Sequence, residues 1–354
     1  MRALSRCMTV VLALAVAPVA AQTWTGAGAD NNWSTGANWS GGVAPASSAT
    51  TQLTFPGSVP RLSPIVDAPW TVNRMSFLAS YTLTGQALTL AGASPEIQAG
   101  PPTTLGNPIT LTGPTSFNTI SVLDFFGPIS GTGPLTLVAV GGIALHGVNT
   151  YTGGTTVLIG GLGLLGTLVG PVTVSGPGAS LVGINGVVSG PVTVNAGGTI
   201  GGTLSTADLT VAGFVSMDID GPAPGTQYDS IGVSGAVTLN NATLTLNGAY
   251  VPVAGNVFTL IANDGSDAVV GTFAGLPEGA TLTFNGVPMR ISYIGGTGND
   301  VTLNPVVLLG APHGTPTLSE WALLILATLM LALGLRGRSG RKAPGSPWGR
   351  GKRP

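Results

Sequence analysis

The chain has 354 residues, only 7% of them charged, and a formal net charge of −1 at pH 7. Glycine (56 residues) and proline (27) are abundant, but 44% of the residues are hydrophobic, and this apolar content excludes a disordered chain. Residues 22–314 contain three arginines, no lysine and twelve acidic residues, a net charge of −9. Nucleic acid is therefore not expected as a partner, because phosphate binding requires clustered lysine or arginine.

The N-terminus is predicted to direct export. Two arginines precede an apolar stretch at 8–16, and small residues lead up to Ala21, which is the arrangement of a secretory signal peptide and its cleavage site. We predict a signal peptide at 1–21, cleaved between Ala21 and Gln22. Cys7 is the only cysteine and would leave with the signal peptide, so the exported chain would contain no disulfide.

The body of the chain has the pattern of an all-β protein, with short runs of Val, Thr, Leu and Ile separated by Gly, Pro and Asn. The pentapeptide G-P-V-T-V at 170–174 recurs at 190–194, and a spacing of 20 residues is typical of one coil of a parallel β-solenoid. We predict roughly seven coils at 70–213, preceded by a Trp-rich N-terminal cap at 22–69 and followed by a β-rich C-terminal cap at 214–304. An antiparallel sandwich or several small sheets is the alternative, because turn-rich β sequences share these features.

One segment of the predicted solenoid resembles a known repeat. Residues 147–157 read G-V-N-T-Y-T-G-G-T-T-V and are similar to the autotransporter-associated β-strand repeat. That resemblance implies a right-handed parallel β-helix in a secreted passenger domain. The Trp-rich stretch at 24–42 and the stretch at 224–303 are similar to the neighbours of such repeats in passenger domains.

A second resemblance concerns a short motif near the C-terminus, T-P-T-L-S-E-W at 315–321. Together with the apolar run and basic cluster that follow, it resembles the IPTL-CTERM sorting signal of Gram-negative bacteria. The matching positions are Pro316, Thr317, Leu318, Ser319, Glu320 and Trp321, whereas Thr315 and Ala322 depart from the usual Ile and Gly. The resemblance implies that an exosortase-type membrane enzyme recognises the tail.

The physical pattern of the C-terminus agrees with insertion in a membrane. Residues 305–314 are predicted to form a linker, and the sorting signal occupies 315–342. Its uncharged stretch at 321–335 is predicted to be a transmembrane helix of about 22 Å, short of the ~30 Å hydrocarbon core. The basic residues that follow favour a cytoplasmic end, and they begin with Arg336, Arg338, Arg341 and Lys342. A basic tail at 343–354 completes the chain, and an ordinary anchor without processing is the alternative.

Three acidic residues are the candidate catalytic groups. Asp218 and Asp220 share one face of an alternating strand and Asp229 is close in sequence, and a glycosidase uses paired carboxylates. The chain lacks the Asp-Asp pair, Gly-His-Gly and Arg-x-Lys elements of the pectinase family. Solvated acidic residues along an exposed edge are therefore the preferred interpretation, and we assign no catalytic residue.

Other candidate binding residues have simpler interpretations. The sequence G-G-T-G-N-D at 295–300 resembles one calcium-binding nonapeptide, but calcium solenoids need several in tandem, so we predict a glycine turn and no metal. His146 has no nucleophile motif near it and is expected at the surface. Trp33 and Trp39 could stack on sugars, but packing against the first coil as a cap is preferred.

These patterns together predict an exported, non-enzymatic β-solenoid of the cell surface or extracellular matrix, adhesive or structural in role. Its expected partners are the sorting enzyme, the inner membrane in transit, and glycans or cell-surface polymers that bind a polar Thr/Asn face. No cofactor is expected. The rival prediction is a polysaccharide-active hydrolase or lyase, because β-helices also carry such enzymes.

Overall fold

The computed structural model describes residues 21–306 and 323–328. The strands belong to one compact unit that ends at Val306. Two short 3₁₀ turns, Gly36–Asn38 and Ser40–Gly42, lie near its start.

The first strands are β1 (Gln22–Thr23), β2 (Gln52–Phe55), β3 (Ile65–Val66), β4 (Trp70–Val72), β5 (Arg74–Phe77), β6 (Thr82–Gly85), β7 (Leu88–Leu90), β8 (Glu96–Ala99), β9 (Thr103–Leu105) and β10 (Ile109–Leu111). The middle strands are β11 (Thr115–Thr119), β12 (Leu123–Phe125), β13 (Ile129–Gly131), β14 (Leu135–Leu145), β15 (Val148–Asn149), β16 (Thr155–Leu164), β17 (Thr167–Leu168), β18 (Val172–Val174), β19 (Ala179–Val188), β20 (Val192–Val194) and β21 (Thr199–Thr206). The last strands are β22 (Leu209–Val211), β23 (Phe214–Asp218), β24 (Ile231–Val233), β25 (Val237–Asn240), β26 (Thr243–Asn247), β27 (Phe258–Asn263), β28 (Val270–Thr272), β29 (Thr281–Phe284), β30 (Val287–Gly295) and β31 (Asp300–Pro305).

Successive turns of the chain stack these strands into three parallel ladders. The first ladder contains β1, β2, β5, β8, β11, the start of β14, the start of β16, β18, β20, β22, β25 and β28. The second contains β3, β6, β9, β12, the ends of β14 and β16, the start of β19, β21, β23 and β26. The third contains β4, β7, β10 and β13, and it continues with β15, β17, the ends of β19 and β21, β24 and β27.

This arrangement is a parallel β-solenoid of about eight regular turns, so the all-β solenoid part of the predicted fold class is confirmed. The repeated pentapeptides lie one turn apart, with Val172, Thr173 and Val174 in register with Val192, Thr193 and Val194. The valines are buried and the threonines only partly so, because successive side chains of a strand point to opposite faces. Parallel register in all three ladders excludes the antiparallel sandwich.

Among the described residues, antiparallel pairing between strands occurs at the end of the compact unit, where β29 pairs with β30, and β31 pairs with both β30 and β27. Elsewhere it is limited to isolated bridges such as that between Trp24 and Trp39. Parallel pairing starts before residue 70, at β1 and β2, and continues past residue 213 to β28. The G-P-V-T-V spacing identifies only the regular turns. The last turns carry insertions at 220–230 and 248–257, which hide their period in the sequence.

Near the C-terminus, residues 323–328 are helical and their apolar side chains are exposed. No helix among the described residues is long and apolar enough to cross a membrane. The rest of the predicted transmembrane helix 321–335, the sorting motif 316–321, most of the linker 305–314, and the basic tail lie outside the described residues. So does the predicted signal peptide, apart from Ala21.

Candidate functional site

A row of threonines follows the outer surface of the first ladder. One threonine stands at the centre of each strand segment and faces outward, half-buried, and its register partner on the next turn is again threonine. The row consists of Thr136, Thr156, Thr173, Thr193, Thr210 and Thr238. The sequence predicted this outward Thr face, since every threonine of the row except Thr156, which follows Thr155, stands between two apolar residues.

The same ladder carries charge at its other end. Gln52, Arg74, Glu96 and Ser116 occupy the equivalent outward positions of earlier turns. Arg74 Nε lies 3.1 Å from Glu96 Oε2, and this ion pair links two turns. The solenoid surface therefore changes along the first ladder from an ion-paired segment to an uncharged hydroxyl row.

An acidic cluster lies beside the second ladder, at the end of β23. Asp218 and Asp220 are exposed, and an insertion folds back so that Asp229 is half-buried next to them. Asp229 Oδ2 accepts a hydrogen bond from the Asp218 backbone N–H over 2.9 Å. Asp220 Oδ1 accepts one from the Ala249 N–H over 3.1 Å. The structure thus brings together all three acidic residues that the sequence singled out.

Two adjoining hollows open at this cluster, with volumes of about 380 Å³ and 200 Å³. Asp218 and Asp229 line both hollows, and Asp220 lines the smaller one. The larger hollow has glycines and short polar side chains in its lining, including Asn185 and Ser216. The site can offer carboxylate, amide and hydroxyl groups to a polar ligand such as a sugar.

The environment of Asp229 favours its protonated form. Burial is the main cause that raises the pKa of this carboxyl group, and the negative charges of Asp218 and Asp220 raise the pKa further. Hydrogen bonds from the backbone N–H groups of Asp218 and Gly202 act in the opposite direction but are outweighed. Asp229 is therefore a weaker acid than a solvated aspartic acid.

A larger cavity, of about 520 Å³, lies on a different side of the solenoid. Its floor is the outer surface of the third ladder, where Ser205, Gly232 and Ala262 occupy matching positions. Small side chains on successive turns make this surface concave. Asp264 is the only titratable residue in its lining, so the cavity lacks the paired groups that acid–base chemistry needs.

Trp33 and Trp39, for which sugar stacking was the alternative to packing in the cap, have no ring face exposed to solvent. Trp33 is 0% and Trp39 2% exposed, and their rings meet edge to face at 5.7 Å. Both rings also pack against Phe55 in β2. The sugar-stacking alternative is therefore wrong for Trp33 and Trp39, which pack against the first turn of the solenoid.

The G-G-T-G-N-D segment forms a turn that is fastened to a neighbouring loop. Asp300 Oδ1 accepts from the Asn263 N–H over 2.9 Å, and Asn299 Nδ2 donates to the Gly265 carbonyl over 2.7 Å. These side chains thus have partners within the protein. Among the described residues, no group of three or more His, Cys, Asp or Glu side chains could hold a metal ion.

His146 lies at a corner of the solenoid, where its ring stacks on Phe126 with centroids 4.0 Å apart. Its Nε2 is 3.6 Å from Asp124 Oδ1, and the histidine side chain is partly exposed. These contacts of His146 with Asp124 and Phe126 include no nucleophilic side chain.

Sequence reasoning missed the structural role of Asn149, in the segment that resembles the autotransporter repeat. This side chain is fully buried and connects three turns. Its Nδ2 donates to the Thr167 carbonyl over 3.0 Å and to the Gly147 carbonyl over 2.9 Å, and its Oδ1 accepts from the Ile129 N–H over 3.1 Å. The available signal was an asparagine among the apolar strands of the predicted solenoid. If such an amide is buried, it needs hydrogen-bond partners within the protein.

No protein-family model matches the chain, and no curated protein and no solved structure is significantly similar to it. The two resemblances given by the motifs at 147–157 and 315–321 therefore stay predictions.

Proposed function

We propose that this protein is an exported, non-catalytic component of the cell surface or extracellular matrix, with an adhesive or structural role. The observation that carries the proposal is the uncharged, in-register threonine row on a rigid β-solenoid. A solenoid presents such a row as one extended surface, which suits a long polymer better than a small molecule. Glycans or other cell-surface polymers are the proposed ligands, and the solenoid is proposed to be right-handed.

Export is supported by the arrangement of the N-terminus. Cleavage between Ala21 and Gln22 would remove the basic and apolar segments but would leave intact β1, whose Gln22 pairs with Leu53. The proposed destination is the envelope surface or the medium. An exosortase-type enzyme would recognise residues 316–321 while helix 321–335 is inserted in the inner membrane.

The test is surface exposure and adhesion of cells that carry the full chain. Protease added to intact cells should digest the protein, and cells that lack it should adhere less to surfaces or to each other. A chain with alanine at Pro316, Leu318 and Trp321 should stay in the inner membrane and should not restore adhesion. A protein that is inaccessible to the protease, in cells of unchanged adhesion, would refute the proposal.

A second candidate function, cleavage of polysaccharides, is favoured by the carboxylates around the two hollows. Glycoside hydrolysis needs one carboxyl group that can give a proton and a second carboxylate nearby. Asp229, with its raised pKa, could be the acid and Asp218 its partner, since both line the same hollows. Environments that separate the pKa values of neighbouring carboxyl groups are typical of such pairs.

The two functions are separated by measuring reducing ends released from a panel of neutral and acidic polysaccharides. The non-catalytic proposal predicts no release by the unmodified protein. Release that is abolished by Asp218→Asn and by Asp229→Asn, but retained by Asp264→Asn outside the hollows, would establish the enzyme instead.

A further inference from the structure

The threonine row is the middle of three parallel rows that we call the lane. Its threonines lie on successive strands of the first ladder, so the five intervals from Thr136 to Thr238 span about 24 Å at a strand spacing of about 4.8 Å. Backbone hydrogen bonds continue the ladder on both sides of the threonines. Examples are Val172 N–H to the Pro191 carbonyl and Asn195 N–H to the Val174 carbonyl. The lane is thus part of a continuous sheet.

The two flanking rows differ in chemistry. On one side, two residues before each threonine, three turns carry the exposed prolines Pro134, Pro171 and Pro191, and the other three carry Gly154, Asp208 and Ala236. On the other side, the first two turns carry the apolar Val138 and Leu158, and the next four turns carry Ser175, Asn195, Ala212 and Asn240. From Thr173 to Thr238, the lane therefore has prolines on two of four turns along one border and polar side chains on three of four turns along the other, with hydroxyl groups between them.

The threonine hydroxyls of the lane are free to bind a partner, whereas the border residue Asn195 donates to Ser175 Oγ over 3.4 Å. None of the six threonine hydroxyls makes a hydrogen bond to another described residue, whereas Thr110 on the third ladder pairs its hydroxyl with Ser130 Oγ at 3.2 Å. The flanking rows carry one charge, that of Asp208, in register with Pro191. A strongly charged polymer would find almost no counter-charge here, so the lane suits an uncharged partner.

The width of the lane favours a single polymer chain over a flat crystalline surface as its ligand. Threonine occupies a single row, and the rows beside it do not repeat the hydroxyl–methyl pattern. A crystalline plane such as ice would require a matching two-dimensional array, whereas one polymer chain requires only one line of contacts. A sugar chain has ring faces that are less polar and edges that carry hydroxyl groups. The ring faces suit the border with the prolines, and the hydroxyl edges suit the opposite border.

We propose that the lane binds one chain of an uncharged, linear polysaccharide laid along the solenoid axis, with the sugar rings against the prolines and the hydroxyls against the threonines and asparagines. This inference rests on the proposed function and specifies its ligand class. Each rung contributes a weak contact, because a hydrogen bond exposed to water gives about 1 kcal/mol or less. Affinity should therefore rise with chain length until the lane is filled.

The test measures binding of the full-length protein to insoluble cellulose and to β-1,3-glucan, and to soluble oligomers of each with increasing length. The lane variant is Thr173→Val/Thr193→Val/Thr210→Val, which keeps the shape and β-propensity of each residue but removes its hydroxyl. The matched control is Thr71→Val/Thr89→Val/Thr110→Val, an in-register row on the third ladder. Circular dichroism confirms that both variants are folded.

The proposal predicts that the unmodified protein binds at least one of the two glucans, with affinity that rises over oligomer length. The lane variant should lose at least tenfold in affinity and the control should lose less than twofold. Equal losses in both variants, no binding to either glucan, or ice shaping without glucan binding would overturn the proposal. If glucan binding fails while deletion of the protein still reduces adhesion, the proposed function stands and this inference alone falls.

Discussion

The buried tryptophans of the N-terminal region differ in one respect, the hydrogen bonding of the indole nitrogen. Trp39 Nε1 donates to the Trp33 carbonyl over 2.8 Å, whereas the buried Trp33 Nε1 has no hydrogen-bond partner among the residues that the structure describes. Replacement by phenylalanine leaves a similar cavity at both sites. We predict that Trp39→Phe lowers the free energy of unfolding by about 1 kcal/mol more than Trp33→Phe does. Chemical denaturation of both variants checks this, and a larger loss in Trp33→Phe would contradict it.

The Asp229 carboxyl group should make stability depend on pH. Its pKa is raised above the ordinary value of 3.8 by burial and by its acidic neighbours. A raised pKa means that the folded state favours the protonated form, so the stabilisation is complete below the unfolded-state pKa and is lost as pH rises through the folded-state pKa. Asp229→Asn should therefore stabilise the protein more at pH 7 than at pH 3. Unfolding curves of this variant and of Asp264→Asn at both pH values test the prediction, and an equal effect of Asp229→Asn at both would contradict it.

At the scale of single elements, Asn149 connects three turns that would otherwise be held only by their ladders. Asn149→Ala would leave the Ile129 N–H and the Thr167 carbonyl buried without their side-chain partner. We predict a loss of about 3 kcal/mol in the free energy of unfolding. Asn195→Ala, at an exposed position of the same solenoid, should change it by about 0.5 kcal/mol or less. Similar effects of the two changes would show that the buried amide does not connect the turns.

The turn inside β16 depends on glycine at one position and tolerates a side chain at the next. Gly160 has φ of +72°, and a Cβ atom there would lie 1.5 Å from the Ala139 carbonyl oxygen. A Cβ on Gly161 would meet only Ser180 Oγ, at 3.3 Å. We predict that Gly160→Ala costs about 3 kcal/mol or more and Gly161→Ala about 1 kcal/mol or less. Thermal unfolding of the two variants tests this difference in stability, and equal melting temperatures would contradict the conformation assigned to Gly160.

The same elements show how far sequence reasoning reaches. The G-P-V-T-V spacing predicted the parallel stacking because one side-chain alternation and one turn length are repeated. It could not locate the last turns, whose insertions change the period, nor the position of Asp229, which depends on how the insertion at 220–230 folds back. Asp218 and Asp220 were placed correctly on one face, because strand alternation alone fixes that relation.

At the scale of the whole molecule, the structure shows a β-solenoid, and sequence motifs at the two ends of the chain are the basis for the proposed export and sorting. The negative charge of residues 22–314 and the arginine-rich end after residue 335 are separated by the proposed membrane helix. In the proposed topology this separation would place the solenoid outside and the basic end in the cytoplasm, because basic segments tend to stay on the cytoplasmic side. The lane could bind an extracellular polysaccharide only if the solenoid is exported from the cell.

The most direct test of this account is the intact mass of the protein recovered from the membrane and extracellular fractions of a Gram-negative host with an exosortase-type enzyme. We expect a species that begins at Gln22 and lacks the segment beyond about Thr317, at the surface or in the medium. A species that keeps residues 321–354 and remains in the inner membrane would contradict sorting. A full-length species in the cytoplasm would contradict export itself.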